Sequence, residues 1–177
     1  MMIIPGFIIS ILTFPGVIVH ELAHQLFCRL SRVAVLDVCY FRFQNPNGYV
    51  VHEIPKKASQ NLLIGIGPFI FNSIVGALIA APSAIPVIRF ESADFLDFVL
   101  IWLGVSIAMH SFPSTGDAKS IWSSVKHEET PFWVKIIATP IVGIIYLCAF
   151  GSIIWLDLLY GVGVAMLIPN LIIWALA

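Results

Sequence analysis

Long apolar stretches joined by short polar segments dominate the chain. They lie around residues 3–27, 62–81, 95–109, 134–154 and 158–176. Because roughly 20 apolar residues form a helix that crosses the hydrocarbon core of a bilayer, the pattern predicts an all-α polytopic membrane protein of about five transmembrane helices. The third stretch is short, and little more than Asp157 divides the last two. Four spans with a re-entrant end are therefore the alternative.

A different pattern separates the first two apolar stretches. Alternating β-prone residues at positions 38–42 and 49–53 flank the turn sequence Asn45-Pro46-Asn47-Gly48. Alternation around such a turn is typical of a β-hairpin. We therefore expect a short hairpin within residues 38–54, close to the membrane surface.

Prolines predict where the helices bend or end. Pro5-Gly6 indicates a ragged start to the first helix, and Pro15-Gly16 indicates a kink one turn before His20. Pro82 and Pro86 are expected to break the second helix.

Composition supports a membrane location. Of the 177 residues, 59% are hydrophobic and 11% are charged, and the mean hydropathy is +0.98, all far from the values of soluble domains. We expect one membrane domain over residues 1–177, with a core of about 3–122 and two additional helices within 133–176. The net charge is -1 without a clustered basic face, which argues against a nucleic-acid partner.

The basic residues indicate an orientation. If five helices alternate, one side receives Arg29, Arg32, Arg42, Lys56, Lys57, Lys119, Lys126 and Lys135. The other side receives Arg89, Glu91, Asp94, Asp97 and Asp157. The positive-inside rule then predicts a cytoplasmic hairpin and an N-terminus outside. No Lys or Arg precedes Arg29, so residues 3–27 are expected to be retained rather than cleaved.

The first apolar stretch contains a metal-binding pattern, His20-Glu21-Leu22-Ala23-His24. In HExxH on a helix, the two histidines project from one face and can hold one Zn²⁺, while the Glu can accept a proton from the bound water. Two His and one Glu inside a membrane helix each cost a few kcal/mol unless they face a partner or a cavity. A buried polar network without a metal is the alternative.

Catalytic zinc usually has three protein ligands, so the motif needs a third. Asp117 is the candidate, because it follows the third helix and is expected at the same membrane face as the end of the first helix, which carries the motif. Its alternative role is the N-cap of a helix over 118–125. His110 is the other contender, and we prefer it as a hydrogen-bond donor beside the metal or in the transition state. His52 and His127 are expected at the surface, and Cys28, Cys39 and Cys148 are expected as apolar fillers.

Over residues 14–122 the chain resembles the site-2 protease family of intramembrane zinc metalloproteases. The matching residues are His20, Glu21 and His24 in the first motif, Gly67-Pro68 with Asn72 in the second, and Pro113 with Asp117 in the third. Asn72 stands one residue further from Gly67-Pro68 than in the family pattern, and Gly116 precedes Asp117 instead of following it.

The resemblance implies hydrolysis of a peptide bond in or near a transmembrane segment of another membrane protein. It implies that His20, His24 and Asp117 bind zinc, that Glu21 activates zinc-bound water, and that Asn72 assists as a nearby donor. A helical substrate must be unwound before attack, and the hairpin is expected to hold it by strand addition.

Three other functions are weighed. A membrane peptidase that resembles the prenyl-protein and heat-shock proteases would use Glu128 or Glu129 as the third ligand, but the adjacent Thr130-Pro131 argues against the helix that this ligand needs. A non-catalytic scaffold of the same fold would not need Glu21. A transporter would need more ionisable groups within its helices. Nothing in the last 50 residues indicates a site.

Overall fold

The structure is a computed structural model that describes residues 6–176, and it is mostly helical with one small sheet. The predicted ragged start at Pro5-Gly6 lies partly outside these residues. In chain order the elements are α1 Gly6–Leu12, α2 Phe14–Leu30, β1 Val35–Cys39, β2 Tyr49–His52, α3 Ala58–Phe90, α4 Phe95–Met109, α5 Thr115–Lys126, α6 Phe132–Gly151, α7 Leu156–Val162 and α8 Ile168–Leu176. A 3₁₀ turn, Ser152–Ile154, follows α6, and a π turn, Gly163–Leu167, joins α7 to α8.

Within the described residues, three segments are long and apolar enough to cross a membrane. They are Ala58–Phe90, Phe132–Ile154 and Leu156–Ala175; α4 is apolar but has only 15 residues. The predicted first span is divided at Thr13 into α1 and α2, with Pro15 in the first turn of α2. The division agrees with the predicted bend, and five full spans remain a prediction.

Helix α3 is longer than the sequence predicted. It runs through Pro68, Pro82 and Pro86 and ends at Phe90, so the expected break at Pro82 was wrong. A proline removes one hydrogen bond from a helix but does not end it where neighbouring helices support the chain. Helix α4 gives this support: a Cβ on Gly76 or Gly104 would lie 2.7 Å from the carbonyl oxygen of the other glycine, so the two backbones are in direct contact.

The last apolar segment does not have the direction that five alternating helices would give it, which is antiparallel to α3. Tyr160 in α7 bonds Ser73 in α3, and Asn170 in α8 bonds the Ala84 carbonyl further along α3. Helices α7 and α8 therefore run parallel to α3. The predicted placement of Asp157 beyond the far end of the helices is wrong. Tyr160, three residues after Asp157, packs against Phe112 just after the end of α4, with the two ring centroids 4.8 Å apart.

The hairpin is present, with β1 and β2 antiparallel and Val35 opposite His52. Its connection, residues 40–48, does not stay beside the end of α2: the Phe41 ring lies 5.8 Å from that of Phe14, the first residue of α2. The connection thus follows α2 inward along most of that helix. Beside the strands, the Tyr49 hydroxyl donates to Asp37, and this bond raises the pKa of Tyr49.

Candidate metal centre

The two histidines of α2 face each other one helical turn apart. Their Nε2 atoms are 3.1 Å apart, and the imidazole rings meet edge to face. Spacing of four residues on a helix places both side chains on one face. That face is turned inward, toward α3 and the end of α4, and His24 is 7% exposed.

Each imidazole is anchored through its other ring nitrogen. His20 Nδ1 lies 2.7 Å from the His110 carbonyl oxygen, and His24 Nδ1 lies 3.1 Å from the Ile64 carbonyl oxygen. A carbonyl can only accept, so both Nδ1 atoms carry the proton and, in the neutral rings, both Nε2 atoms present a lone pair. Bonds of this kind fix the orientation and tautomer of metal-binding histidines.

Asp117 joins the pair from α5. Its Oδ1 is 3.6 Å from His24 Nε2, while its Oδ2 accepts from the backbone N–H and the hydroxyl of Ser114, both at 2.7 Å. Ser114, not Asp117, is the N-cap, and Asp117 occupies the third helical position. One carboxylate oxygen therefore orders the start of α5 while the other faces the histidines.

Helix α5 is held in place by packing on both sides. Its buried residues Ala118, Ile121 and Val125 contact Leu62 of α3 and several apolar residues of α6. The Asn61 amide of α3 bonds the Ser120 carbonyl at 2.9 Å. These contacts fix the position of Asp117 relative to α2.

The three donors fit a zinc ion. His20, His24 and Asp117 each offer one ligand atom, all within 4.8 Å of one another. Tetrahedral zinc with bonds of about 2.0–2.2 Å separates its ligands by about 3.3–3.5 Å. The His20–His24 Nε2 distance of 3.1 Å and the distance of 3.6 Å from His24 Nε2 to Asp117 Oδ1 are close to this range. Two lone pairs that face each other at 3.1 Å repel, and a cation between them removes this cost.

Glu21 lies beside this cluster and is 8% exposed. Gly48 of the hairpin connection packs against it: a Cβ on Gly48 would lie 2.7 Å from Glu21 Cγ. Only glycine permits this approach. Tyr40 fastens the start of the connection to α2 through a 2.8 Å bond to Gln25.

His110 and Asn72 lie behind His20. The His110 imidazole bonds the Thr13 hydroxyl at 2.8 Å and is outside the ligand cluster, whereas its carbonyl receives the His20 N–H. Asn72 is fully buried, and its amide donates to that same carbonyl at 3.2 Å and to the Ile107 carbonyl at 3.3 Å. The interaction of His110 with His20 thus uses a backbone atom that sequence reasoning could not assign.

A cavity of about 710 Å³ opens onto the cluster. Sequence reasoning expected no site in the last 50 residues and put His52 at the surface, yet Ala149, Ser152, Asp157 and His52 all line this cavity. No sequence signal indicated this, because it depends on the direction of α6 and α7. Glu128 and Glu129 are exposed in the connection between α5 and α6.

The three cysteines are free thiols, and Cys28 packs with Val33 and Ile64 in a buried apolar cluster, as expected for a filler.

Comparison with known protein families, with curated proteins and with solved structures finds no match.

Proposed function

We propose that the protein is a zinc-dependent membrane peptidase that hydrolyses a peptide bond in or near a transmembrane segment of another protein. The observation that carries the proposal is the pair of imidazoles whose Nδ1 atoms each lie within hydrogen-bond distance of a backbone carbonyl and whose Nε2 atoms lie 3.1 Å apart beside Asp117. Such an arrangement has the donor set and spacing of a catalytic zinc site with one open position.

Each residue has a distinct role in this proposal. His20, His24 and Asp117 would hold the ion, which supplies a Lewis acid that polarises the scissile carbonyl and acidifies water. Glu21, inside the same cavity, accepts a proton from the attacking water and returns it to the leaving amine. His110 and Asn72 keep His20 oriented.

The surroundings suit an extended membrane segment as substrate. The β-sheet has only two strands, so each described strand has an outer edge without a strand partner, and Leu36 and Val51 are exposed. A substrate that has lost its helical hydrogen bonds can regain some by pairing with such an edge. Proline at Tyr40 or Val51 should then impair cleavage while zinc stays bound.

We also propose a multi-pass topology with the N-terminus outside and the metal centre near the cytoplasmic face. Gln60, at the start of α3, bonds the Ser31 carbonyl after α2, and a second cavity is lined by Lys56, Lys57 and His127. The basic connections therefore lie together at the metal-proximal end of α3. Their shared position supports a cytoplasmic location under the positive-inside rule.

The test is zinc content and proteolysis of the detergent-purified protein. The parent should contain about one zinc per chain and cleave members of a panel of transmembrane peptides, and Glu21→Gln should retain the zinc and lose cleavage. His127→Ala, at an exposed position, is the control and should match the parent. A folded parent that takes up no zinc after reconstitution would overturn the proposal. Equal cleavage by Glu21→Gln would overturn the role of Glu21, and zinc binding without any cleavage would favour the scaffold alternative.

A further inference from the structure

Helix α3 contains a break in its hydrogen-bond ladder at the level of the metal centre. In an α-helix, the N–H of residue i bonds the carbonyl of residue i−4. Pro68 has no N–H, so the Ile64 carbonyl has no helical partner, and the proline ring pushes this carbonyl outward. Ile64 is 2% exposed, and a buried carbonyl without a donor is costly.

His24 supplies the missing donor. Its Nδ1 lies 3.1 Å from the Ile64 carbonyl oxygen, a contact between two residues that are 40 positions apart in sequence. The bond satisfies the carbonyl and at the same time turns His24 Nε2 toward His20. One proline in α3 thereby sets the orientation of a ligand on α2.

The neighbouring glycines bring both ligand-bearing helices to this point. A Cβ on Gly65 would lie 2.7 Å from the Ile121 side chain and 3.8 Å from Asp117 Cβ, so α5 packs directly on α3 here. A Cβ on Gly67 would overlap the Phe27 ring of α2. The segment 64–68 thus contacts α2 on one side and α5 on the other.

The two other prolines within α3 do not have this role. Pro82 and Pro86 free the carbonyls of Leu78 and Pro82 in the same way. Among residues 6–176, no side-chain bond to either carbonyl is found. They therefore serve as controls for the loss of a proline from the same helix, at positions that are less buried than Pro68.

We propose that Pro68 is a positioning residue for the metal site: it reserves the Ile64 carbonyl for His24 Nδ1–H and so holds His24 in the ligating orientation. This inference rests on the proposed zinc site. In Pro68→Ala, the new N–H bonds the same carbonyl and draws it back toward the helix axis, away from His24, so the bond that orients His24 becomes longer and weaker. Mutations of such anchoring partners typically weaken metal binding by about 10- to 100-fold.

The experiment measures zinc affinity of the full-length protein by competition with a chromophoric chelator. Pro68→Ala should bind zinc about 10-fold more weakly, and Pro82→Ala and Pro86→Ala should match the parent. Metal-free Pro68→Ala should unfold about as easily as the metal-free parent, because the hydrogen bond that α3 regains offsets the small buried volume lost with the proline ring. Weaker zinc binding without lower stability is the result that a merely structural proline would not give.

Three outcomes separate the proposals. A parent that binds no zinc overturns the proposed function. A parent that binds zinc, with Pro68→Ala equal to it in affinity, overturns only the role of Pro68. If Pro68→Ala fails to fold, ¹⁵N NMR of the metal-free parent decides, with His24 assigned by comparison with His24→Gln: an Nδ1–H tautomer supports the proposal, and an Nε2–H tautomer overturns it.

Discussion

The two histidines of α2 depend on two different regions of the molecule. His20 is anchored at the end of α4, where the His110 carbonyl is free because a helix leaves its last carbonyls without intrahelical partners. His24 is anchored in the interior of α3, where the Ile64 carbonyl is free because residue 68 is proline. The same imidazole geometry is therefore tolerant of sequence on the His20 side and tied to one residue type on the His24 side.

The largest expected effect comes from removal of either ligand. His20→Ala and His24→Ala should each weaken zinc binding on the order of 1,000-fold or more, because zinc sites divide roughly 10–16 kcal/mol among a few ligands. Elemental analysis and chelator competition measure this loss. His52→Ala, which alters the same cavity outside the cluster, should retain zinc. Loss of zinc from one histidine variant only would show that the two histidines are not both ligands.

Removal of the carboxylate should have the next largest effect. Asp117→Ala should weaken zinc binding on the order of 100-fold and destabilise the start of α5 by about 1 kcal/mol. Asp97 occupies the same capping position in α4, so Asp97→Ala should show a similar loss of stability and normal zinc affinity. Normal zinc affinity in both variants would remove Asp117 from the site and reopen the case for Glu128 or Glu129.

A substitution behind His20 tests the α4 side alone. Asn72→Ala removes the donor that shares the His110 carbonyl, so zinc affinity should fall about 10-fold and the free energy of unfolding should fall by roughly 1–3 kcal/mol. Asn170→Ala also removes an amide bond to a backbone carbonyl, but far from the metal. Asn170→Ala should lose stability in thermal unfolding and keep normal zinc affinity in chelator competition.

The smallest expected effect on zinc binding comes from a substitution beside Glu21, which lies between His20 and His24 in sequence. Gly48→Ala places a methyl group against Glu21 but touches no ligand atom, so zinc affinity should stay within about twofold of the parent. Cleavage should fall about 10-fold, since displacement of a catalytic group by about 1 Å can cost up to 10²-fold. Gly143→Ala, where a Cβ meets nothing within 4 Å, is the control. Unchanged cleavage would show that the connection moves aside at no cost.

Sequence predicted the parts of the site that depend on local spacing. The positions of His20, Glu21 and His24 on one helix, the hairpin and the bounds of α4 follow from patterns within a few residues. Asp117 could be selected only because the charge pattern put the ends of α2 and α4 at one face. The route of α3 through Pro82 was missed, since packing against α4 outweighs the local effect of proline.

The contacts that cross between distant segments were not predictable in this way. Both histidine anchors are backbone carbonyls, which every residue carries, so no residue type marks them in sequence. The parallel course of α7 beside α3 is set by contacts such as Tyr160 with Ser73. It brings Asp157 to the metal cavity, which no pattern in residues 128–177 indicated.

On the proposed membrane topology, the length of α3 relates the candidate metal centre to the thickness of the surrounding bilayer. Its 33 residues extend about 50 Å at 1.5 Å per residue, against a hydrocarbon core of about 30 Å. Part of α3 must tilt or project beyond the core, and thickness differences of a few Å between cellular membranes change that projection. The segment 64–68, which bonds His24, lies in the first third of the helix, so on the proposed topology we expect acyl-chain length to set how far water reaches the cluster.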